Sequence, residues 1–584
     1  MIPVRAYWRL LRTYLRPLRV RVVLLSTLLF TGIVFQVINP QFIRAFIDRA
    51  LDGAPAGDLL GLAAAFVTLA VAYQALNIAA TYVAEGVGWT ATNELRADLA
   101  AHLLDLDMSF HKTMTPGELI ERVDGDVTTL SNFFSKFVIH VAGNLLLIVA
   151  VVALLWREHV AIGAGMTVFA VVALVGMVRL QAIAIPWWQS VRGKRAEFFG
   201  FLGEQLGGTE DIRANGAVPY MMHRFTLIHR EWLPREVRGR MGFGLLWATS
   251  IAVYIAGIAL VFGLGTRLFV GGAITVGSVY LMYHYMEMIR HPIEQIRTQM
   301  EDLQKAGAGI NRVQELFAAT TALPEDGTER LPEGPLSVDV TGVDFAYRDD
   351  AATGEVVLQD LDLRVAGGRV VGILGRTGSG KSTLARLLTR LYDPTAGEVR
   401  VGGIDLRRVD RADRRRRIAM VTQEVQLFRA TVRENLTFFD ARIDDSRLWE
   451  VLADLGIDGW VTGLPEGLDT MLESGSGGLS AGQAQLLAFA RVFLGEPGLV
   501  ILDEASSRLD PATEVLIERA VTKLLTDRTG LIIAHRLATV ERADDILIVD
   551  RGRIVEFGER SSLAADPESR FSTLLRTGME DLLA

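Results

Sequence analysis

Gly375-Arg376-Thr377-Gly378-Ser379-Gly380-Lys381-Ser382-Thr383 is the stretch on which the reading of the chain turns. It follows an apolar run of strand character (Val370, Val371, Ile373, Leu374) and precedes Leu384, Leu387, Leu388 and Leu391, which recur at i, i+3, i+4 and i+7. Strand, glycine-rich turn and helix in that order, with G-x-x-x-x-G-K-S between them, predict a phosphate-binding loop. The glycines let backbone N–H groups turn inward around phosphate oxygens, and Lys381 reaches the β- and γ-phosphates. The Ser382 hydroxyl is placed to ligate Mg²⁺, and the helix N-terminus points its partial positive charge at the anion. A glycine-rich turn without a ligand would not need the full pattern in this setting.

The chain has 584 residues, enough for two to four domains by the usual size of a domain. Half of it is hydrophobic, and its positive mean hydropathy is high for a soluble nucleotide-binding protein. A net charge of −8 gives no electrostatic footprint for nucleic acid. Cysteine is absent, which excludes disulfides, thiolate zinc sites and a cysteine nucleophile.

The hydrophobic excess lies in the first half. Residues 22–43, 59–84, 137–156, 160–178, 241–266 and 268–286 form apolar runs nearly free of charge, each about the length needed to cross a hydrocarbon core. They predict six membrane spans. A buried core helix is the alternative for any single run, but six such runs are hard to hide in a soluble domain. The first run is too long for a signal peptide and lacks a cleavage site. The N-terminal segment with Arg5, Arg9, Arg12, Arg16 and Arg19 among Trp8, Leu10, Leu11, Tyr14 and Leu15 reads either as a basic amphipathic segment on a membrane surface or as a solvated tail. No peptidase-like or nucleic-acid-binding extension is expected before the first span.

Links after spans one, three and five are short, the third of these as a Gly-rich turn near Arg267, with span six then starting a few residues later. Links after spans two and four are long and rich in Arg and Lys, which places them on the cytoplasmic side. Within them Leu95, Leu99, Leu103, Leu104 and Leu106 continue the apolar periodicity past the membrane. Each long link then breaks, at Met108–Ile120, where Thr115 is a candidate cap before Pro116 and Gly117, and at 201–213 around Gly207 and Gly208. Two short cross-helices or plain helix punctuation are both compatible with these breaks. In span six, His284, Glu287, Arg290 and His291 either line a cavity or have already reached the headgroups. Asn39, Asn77, His140 and Asn144 are similar candidates for cavity lining or helix–helix hydrogen bonds.

A turn-rich linker over 324–335 separates a membrane domain at 1–323 from an α/β domain at 336–584, where apolar runs shorten and alternate. Strand character marks Leu336–Val340, Glu398–Val401, Ile418–Val421, Leu499–Asp503 and Leu531–His535, and a hairpin turn is expected at Arg551-Gly552. The run Leu499-Val-Ile-Leu-Asp503-Glu504 delivers two carboxylates at a strand end. Asp503 suits Mg²⁺ ligation and Glu504 the polarisation of a water for in-line attack on a γ-phosphate.

Ser476-Gly-Gly-Leu479-Ser480-Ala481-Gly482-Gln483, shortly before that strand, resembles the signature motif of ATP-binding cassette (ABC) proteins. Six spans followed by one cassette resemble an exporter-type half-transporter of that family. The resemblance implies ATP and Mg²⁺ as cofactors and ATP hydrolysis as the activity. It further implies that Tyr347 stacks on adenine and that residues 375–383 cradle the phosphates. Gln423 would couple nucleotide to membrane domain and help hold the metal, Asp510 would follow the catalytic carboxylate, and His535 would contact the γ-phosphate. Leu479, Ser480, Ala481, Gly482 and Gln483 would face the nucleotide of a second subunit, and the two cross-helices would be coupling helices.

The expected function is ATP-driven export of an amphipathic, drug-like or lipid-like solute by alternating access, from a multi-pass protein of the plasma (inner) membrane with its ATPase domain in the cytoplasm. An importer on the exporter fold and an ATP-gated regulatory membrane protein are the alternatives. Ala481 and Ala484 stand where the family commonly has Gly and Arg, and Arg508 where it has a small residue. These departures on the face offered to the other subunit favour a heterodimer over a homodimer.

Overall fold

The computed structural model describes residues 12–130, 143–324, 326–347, 356–473, 475, 479–503, 511–534 and 540–577. Two units are distinguished, Met1–Leu104 with Pro116–Ala319, and Asp105–Thr115 with Thr320–Ala584.

In the first unit, four helices among the described residues are long and apolar enough to cross a membrane: α1 Arg19–Leu51, α2 Ala56–Asp105, α6 Val160–Gly207 and α8 Val218–Val270. Between them in the chain lie α4 Pro116–Ile120, α5 Asn144–Glu158 and α7 Thr209–Ala214, and α9 Val276–Ala318 closes the unit; α3 Met108–Thr113, which follows α2 in the chain, belongs to the second unit. The third apolar run is described only from residue 143, and His140 lies outside the described residues. Val23, Phe30, Val67, Val71, Val168, Val172 and Phe262 stay exposed on these helices, as residues facing lipid do. The core joins α5, α6, α8 and α9 through Leu147, Val151, Met166, Ala170, Val261, Leu281 and Tyr285. Gly257 permits that closeness, since a Cβ there would stand 2.4 Å from Met286 Cε and 2.8 Å from Phe169 Cζ.

The fifth helix does not end at Arg267. It runs on to Val270, the turn falls at Gly271–Thr275, and the sixth run becomes helical only at Val276, capped by Thr275 Oγ1 accepting from Ser278 N at 3.1 Å. One arginine in a last turn interacts well with the helix C-terminus, whereas Gly272 at φ +67° leaves the helix.

Both long links break into short helices. Asp107 caps the first of them: its carboxylate accepts from Ser109 N (2.8 Å) and Phe110 N (3.3 Å) at the start of α3, while Thr115 directly precedes α4. The heptad-like leucines of α2 bury Leu95, Leu99 and Leu103, with Leu106 beyond, but Leu104 is exposed.

The second unit holds two sheets. A four-stranded antiparallel sheet has the order β2-β1-β4-β5, with β1 Val338–Phe345, β2 Leu358–Val365, β4 Ala396–Val401 and β5 Ile404–Asp405. A six-stranded sheet has the order β10-β9-β3-β8-β7-β6, with β3 Val370–Leu374, β6 Ile418–Val421, β7 Leu499–Asp503, β8 Thr529–Ile533, β9 Asp545–Asp550 and β10 Arg553–Glu559. All its pairings are parallel except β9 with β10. That hairpin turns through Arg551 (φ +47°) and Gly552 (φ +77°), two left-handed residues that match the twist of antiparallel strands. Helix α10 Lys381–Leu388 follows β3, α11 Ala481–Gly495 precedes β7 and α12 Pro511–Leu525 follows it.

Candidate nucleotide site and membrane cavity

Parallel pairing brings the ends of β3, β8 and β7 to one edge. Ile373 pairs with Ile533, and Ile533 with Asp503, so the 375–383 loop, the residues after Ile533 and the Asp503 carboxylate all leave the sheet on the same side. Val421 pairs with Leu502, which puts the exposed Gln423 just past the end of the next strand. Of the expected site residues, Glu504, Asp510 and His535 lie outside the described residues.

The loop itself is fitted to an anion. Gly375, Gly378 and Gly380 have φ of +150°, +81° and +107°, and a Cβ on Gly375 would lie 2.1 Å from Val549 O. Arg376, Thr377 and Gly378 are exposed, whereas Ser379, Lys381 and Thr383 are buried and Ser382 is half-buried. Lys381 Nζ folds back over the loop, donating to Gly375 O (2.7 Å) and Arg376 O (2.9 Å). Ser379 Oγ is buried with no hydrogen-bond partner. A buried ammonium resting on carbonyls, an orphaned hydroxyl and the N–H groups of the first turn of α10 together make a donor set that phosphate oxygens satisfy. Among the described residues no three His, Cys, Asp or Glu side chains converge to hold a metal. A bound Mg²⁺ would therefore draw on Ser382 and Asp503 plus phosphate and water oxygens, the usual environment of that ion.

Tyr347 is held rigidly. Its hydroxyl shares a hydrogen bond with Thr383 Oγ1 (3.0 Å) and accepts one from Arg386 NH1 (3.0 Å). Phe345 and Tyr392 stand nearly perpendicular to it at 4.9 and 5.3 Å. The phosphate loop and the expected base platform are thus tied through Thr383, a link with no local sequence signal.

Ser480 caps α11 in a capping box: Gln483 N donates to Ser480 Oγ (3.2 Å) and Ser480 N to Gln483 Oε1 (3.0 Å). The hydroxyl keeps its own proton to donate outward. Leu479 and Gln483 are half-buried, Ala481 is exposed, and Gly482 and Ala484 are buried. Ala481 has no left-handed backbone, so alanine fits there without strain. Farther along α11, Arg491 donates to Asn435 O (2.7 Å) and to Gln426 O (3.0 Å), in the loop that carries Gln423. Burial pushes its pKa down to about 10, still well above neutrality.

A second site lies within the first unit, a cavity of about 500 Å³ between α1, α2, α5 and α9. Apolar Leu28, Leu29 and Ile33 line it together with polar Asn77, His284, Glu287 and His291. Glu287 pairs with Arg290 at 3.2 Å, Arg290 lies over the Tyr254 ring, and Asn144 Nδ2 donates to Gln295 Oε1 at 2.7 Å. Beside His284 in the chain, Tyr285 OH donates to Val37 O (2.8 Å) and accepts from Gln41 Nε2 (3.0 Å).

The family profile described as ABC transporter transmembrane region matches residues 22–293, and that described as ABC transporter matches 358–507. A fatty acid ABC transporter ATP-binding/permease protein of Mycobacterium bovis is 31% identical over 485 residues, 81% of this chain and 74% of the relative. The chain belongs to the ABC transporter family. An ATP-dependent lipid A-core flippase of Pseudoalteromonas translucida is 28% identical over 536 residues, 90% of each chain. The fold matches the structure of a bacterial Atm1-family ABC exporter with ATP bound, at TM-score 0.78 and 24% identity, over 96% of this chain and 98% of the other.

As an ABC transporter the chain is a multi-pass membrane protein with an exporter-type membrane domain and one nucleotide-binding domain. It binds ATP, and its ATP hydrolysis is coupled to transport. One cassette per chain makes it a half-transporter, which works as a dimer.

Proposed function

We propose that this half-transporter exports an amphipathic, drug-like or lipid-like solute from the cytoplasm across the plasma (inner) membrane. The carrying observation is the union, in one chain, of a phosphate loop with a buried lysine and an orphaned buried hydroxyl and a membrane cavity lined by both apolar and polar side chains. Relatives described as a fatty acid transporter and a lipid A-core flippase, together with a multidrug efflux protein of Mycobacterium tuberculosis, support that solute class. In this proposal the membrane domain spans 1–323, the linker 324–335 and the cassette 336–584.

In this reading Lys381 exchanges its two carbonyl partners for phosphate oxygens, and residues 375–380, Ser382 and Thr383 supply N–H and hydroxyl donors. Tyr347 carries the adenine. Ser382, Asp503 and Gln423 would hold Mg²⁺, which would supply neutralisation of phosphate charge. Glu504 orients and polarises the attacking water, and His535 donates to the γ-phosphate. Leu479, Ser480, Ala481, Gly482 and Gln483 face the nucleotide of the second subunit, with Asp510 in the adjoining loop. The Arg491 hydrogen bond to Gln426 ties α11 to the loop that carries Gln423.

The second subunit is a different half-transporter, a reading supported by Ala481, Ala484 and Arg508. The strain-free Ala481 and the complete capping box at Ser480 favour the other reading, a homodimer with two working signature segments. Purifying the chain alone and with a similar half-transporter encoded beside it separates them: activity only in the mixed complex supports the heterodimer, and full substrate-stimulated ATPase from the chain alone refutes it. The chemistry is tested by Glu504→Gln, which keeps ATP binding while turnover falls by about 100-fold or more. Turnover near the wild-type rate would remove Glu504 from its role.

A further inference from the structure

Helix α3 ends against the ring of Tyr347. Lys112 Nζ stands 3.5 Å from the ring centroid and 5.9 Å from that of Tyr392. A nitrogen that close to a centroid lies over a face, because the ring's own atoms fill its plane. The ring is fixed in orientation: Thr383 and Arg386 hold its hydroxyl, and Phe345 and Tyr392 stand nearly perpendicular beside it. Stacking of a purine needs a ring face, and one face of Tyr347 already carries an ammonium.

We infer that Lys112 and the nucleotide base compete for one face of Tyr347, so that loading ATP releases the C-terminal end of α3. The inference rests on the reading of Tyr347 as the base platform. The base is the stronger occupant: stacking on an aromatic ring is worth about 5- to 150-fold in affinity, an exposed cation over a ring about 2- to 5-fold. The N-terminal end of α3 stays anchored. Asp107 accepts from Ala322 N and, at 3.2 Å, from Thr321 Oγ1, and Arg411 NH1 bonds Asp105 at 2.9 Å. Losing Lys112 while keeping Asp105 and Asp107 lets α3 pivot rather than detach. Since α3 continues in the chain from α2, base occupancy is conveyed to a membrane-length helix by a single side chain.

The test uses the full chain with its partner in lipid nanodiscs, comparing affinity for ATP with that for tripolyphosphate, which has no base. Lys112→Met keeps length and apolar stem but removes the cation, and should tighten ATP binding by about 2- to 5-fold while leaving tripolyphosphate unchanged. Lys112→Arg should restore the wild-type affinity. The reactivity of Lys112 toward an amine reagent, read by mass spectrometry, should rise with ATP and not with tripolyphosphate. Unchanged or weaker ATP binding in Lys112→Met, or equal changes for both ligands, overturns the inference. Tyr347→Ala serves as the separate check: if it leaves ATP affinity unaltered, the platform reading fails and takes the inference with it. If it weakens ATP binding while Lys112→Met does nothing, only the competition is wrong.

Discussion

Asp107 is the residue whose removal should loosen α3 most. Its carboxylate accepts from Ser109 N, Phe110 N, Ala322 N and Thr321 Oγ1, so it both caps a six-residue helix and ties that helix to the start of the segment leading into the cassette. Asp107→Ala removes the cap, worth about 1 kcal/mol, and the hydrogen bonds to Ala322 and Thr321, each worth about 0.5–1.5 kcal/mol net. A combined loss of about 2–4 kcal/mol raises the open fraction of α3 by at least about 30-fold. Asp107→Asn keeps one acceptor oxygen and should lose about half as much free energy. The assay is amide hydrogen exchange across residues 109–113, read by mass spectrometry, with α10 as an internal reference. Burial opposes ionisation of this carboxyl, but the N–H groups of Ala322, Phe110 and Ser109 outweigh it and hold the pKa below its ordinary value. A carboxyl whose folded pKa is depressed contributes stability above its unfolded pKa and loses it as pH falls through the folded value. Exchange of α3 should therefore accelerate selectively below about pH 4 in the wild type and show no such step in Asp107→Ala. Equal exchange in the wild type and Asp107→Ala would refute the reasoning.

The glycine at the start of α9 offers an independent test. A Cβ on Gly277 would come within 2.6 Å of Arg44 O and of Asp48 Oδ1, and its N–H donates to that same carboxylate at 2.9 Å. Gly277→Ala should lower stability by about 1–3 kcal/mol, seen as a fall in Tm of the purified protein, while Gly263→Ala, with open space around it, should leave Tm unchanged. Lys381→Ala should weaken ATP binding by about 10- to 150-fold, the worth of a charged hydrogen bond, measured by titration with a fluorescent ATP analogue. Disrupting Pro116–Glu118 or Gly207–Glu210 should leave ATP binding intact while substrate-stimulated hydrolysis and transport fall together. Unchanged transport in both variants would exclude these links from coupling.

What could be read from the sequence follows the range of each interaction. The phosphate loop is legible because strand, glycines, lysine and helix are contiguous. The membrane runs are legible because lipid imposes a length that a soluble core does not. The turn before α9 is misplaced by reading Arg267 as a break, when a charge near a helix end is compatible with continuing to Val270. Strand β2 is absent from the expected strands, although Leu361, Leu363 and Val365 alternate inward at period two. The cap at Asp107 and the contact of Lys112 with Tyr347 show the limit. The cap is local and visible in principle as an Asp before the first helical residue. The contact joins segments far apart in the chain, so only the fold reveals it.

The most direct measurement of the central claim is uptake of a fluorescent amphipathic solute into inside-out membrane vesicles carrying this chain with its partner. The account predicts ATP-dependent accumulation above the external concentration, lost in vesicles carrying Glu504→Gln. Depletion of preloaded vesicles on adding ATP, or an ATP-sensitive flux that never exceeds equilibrium, would contradict it.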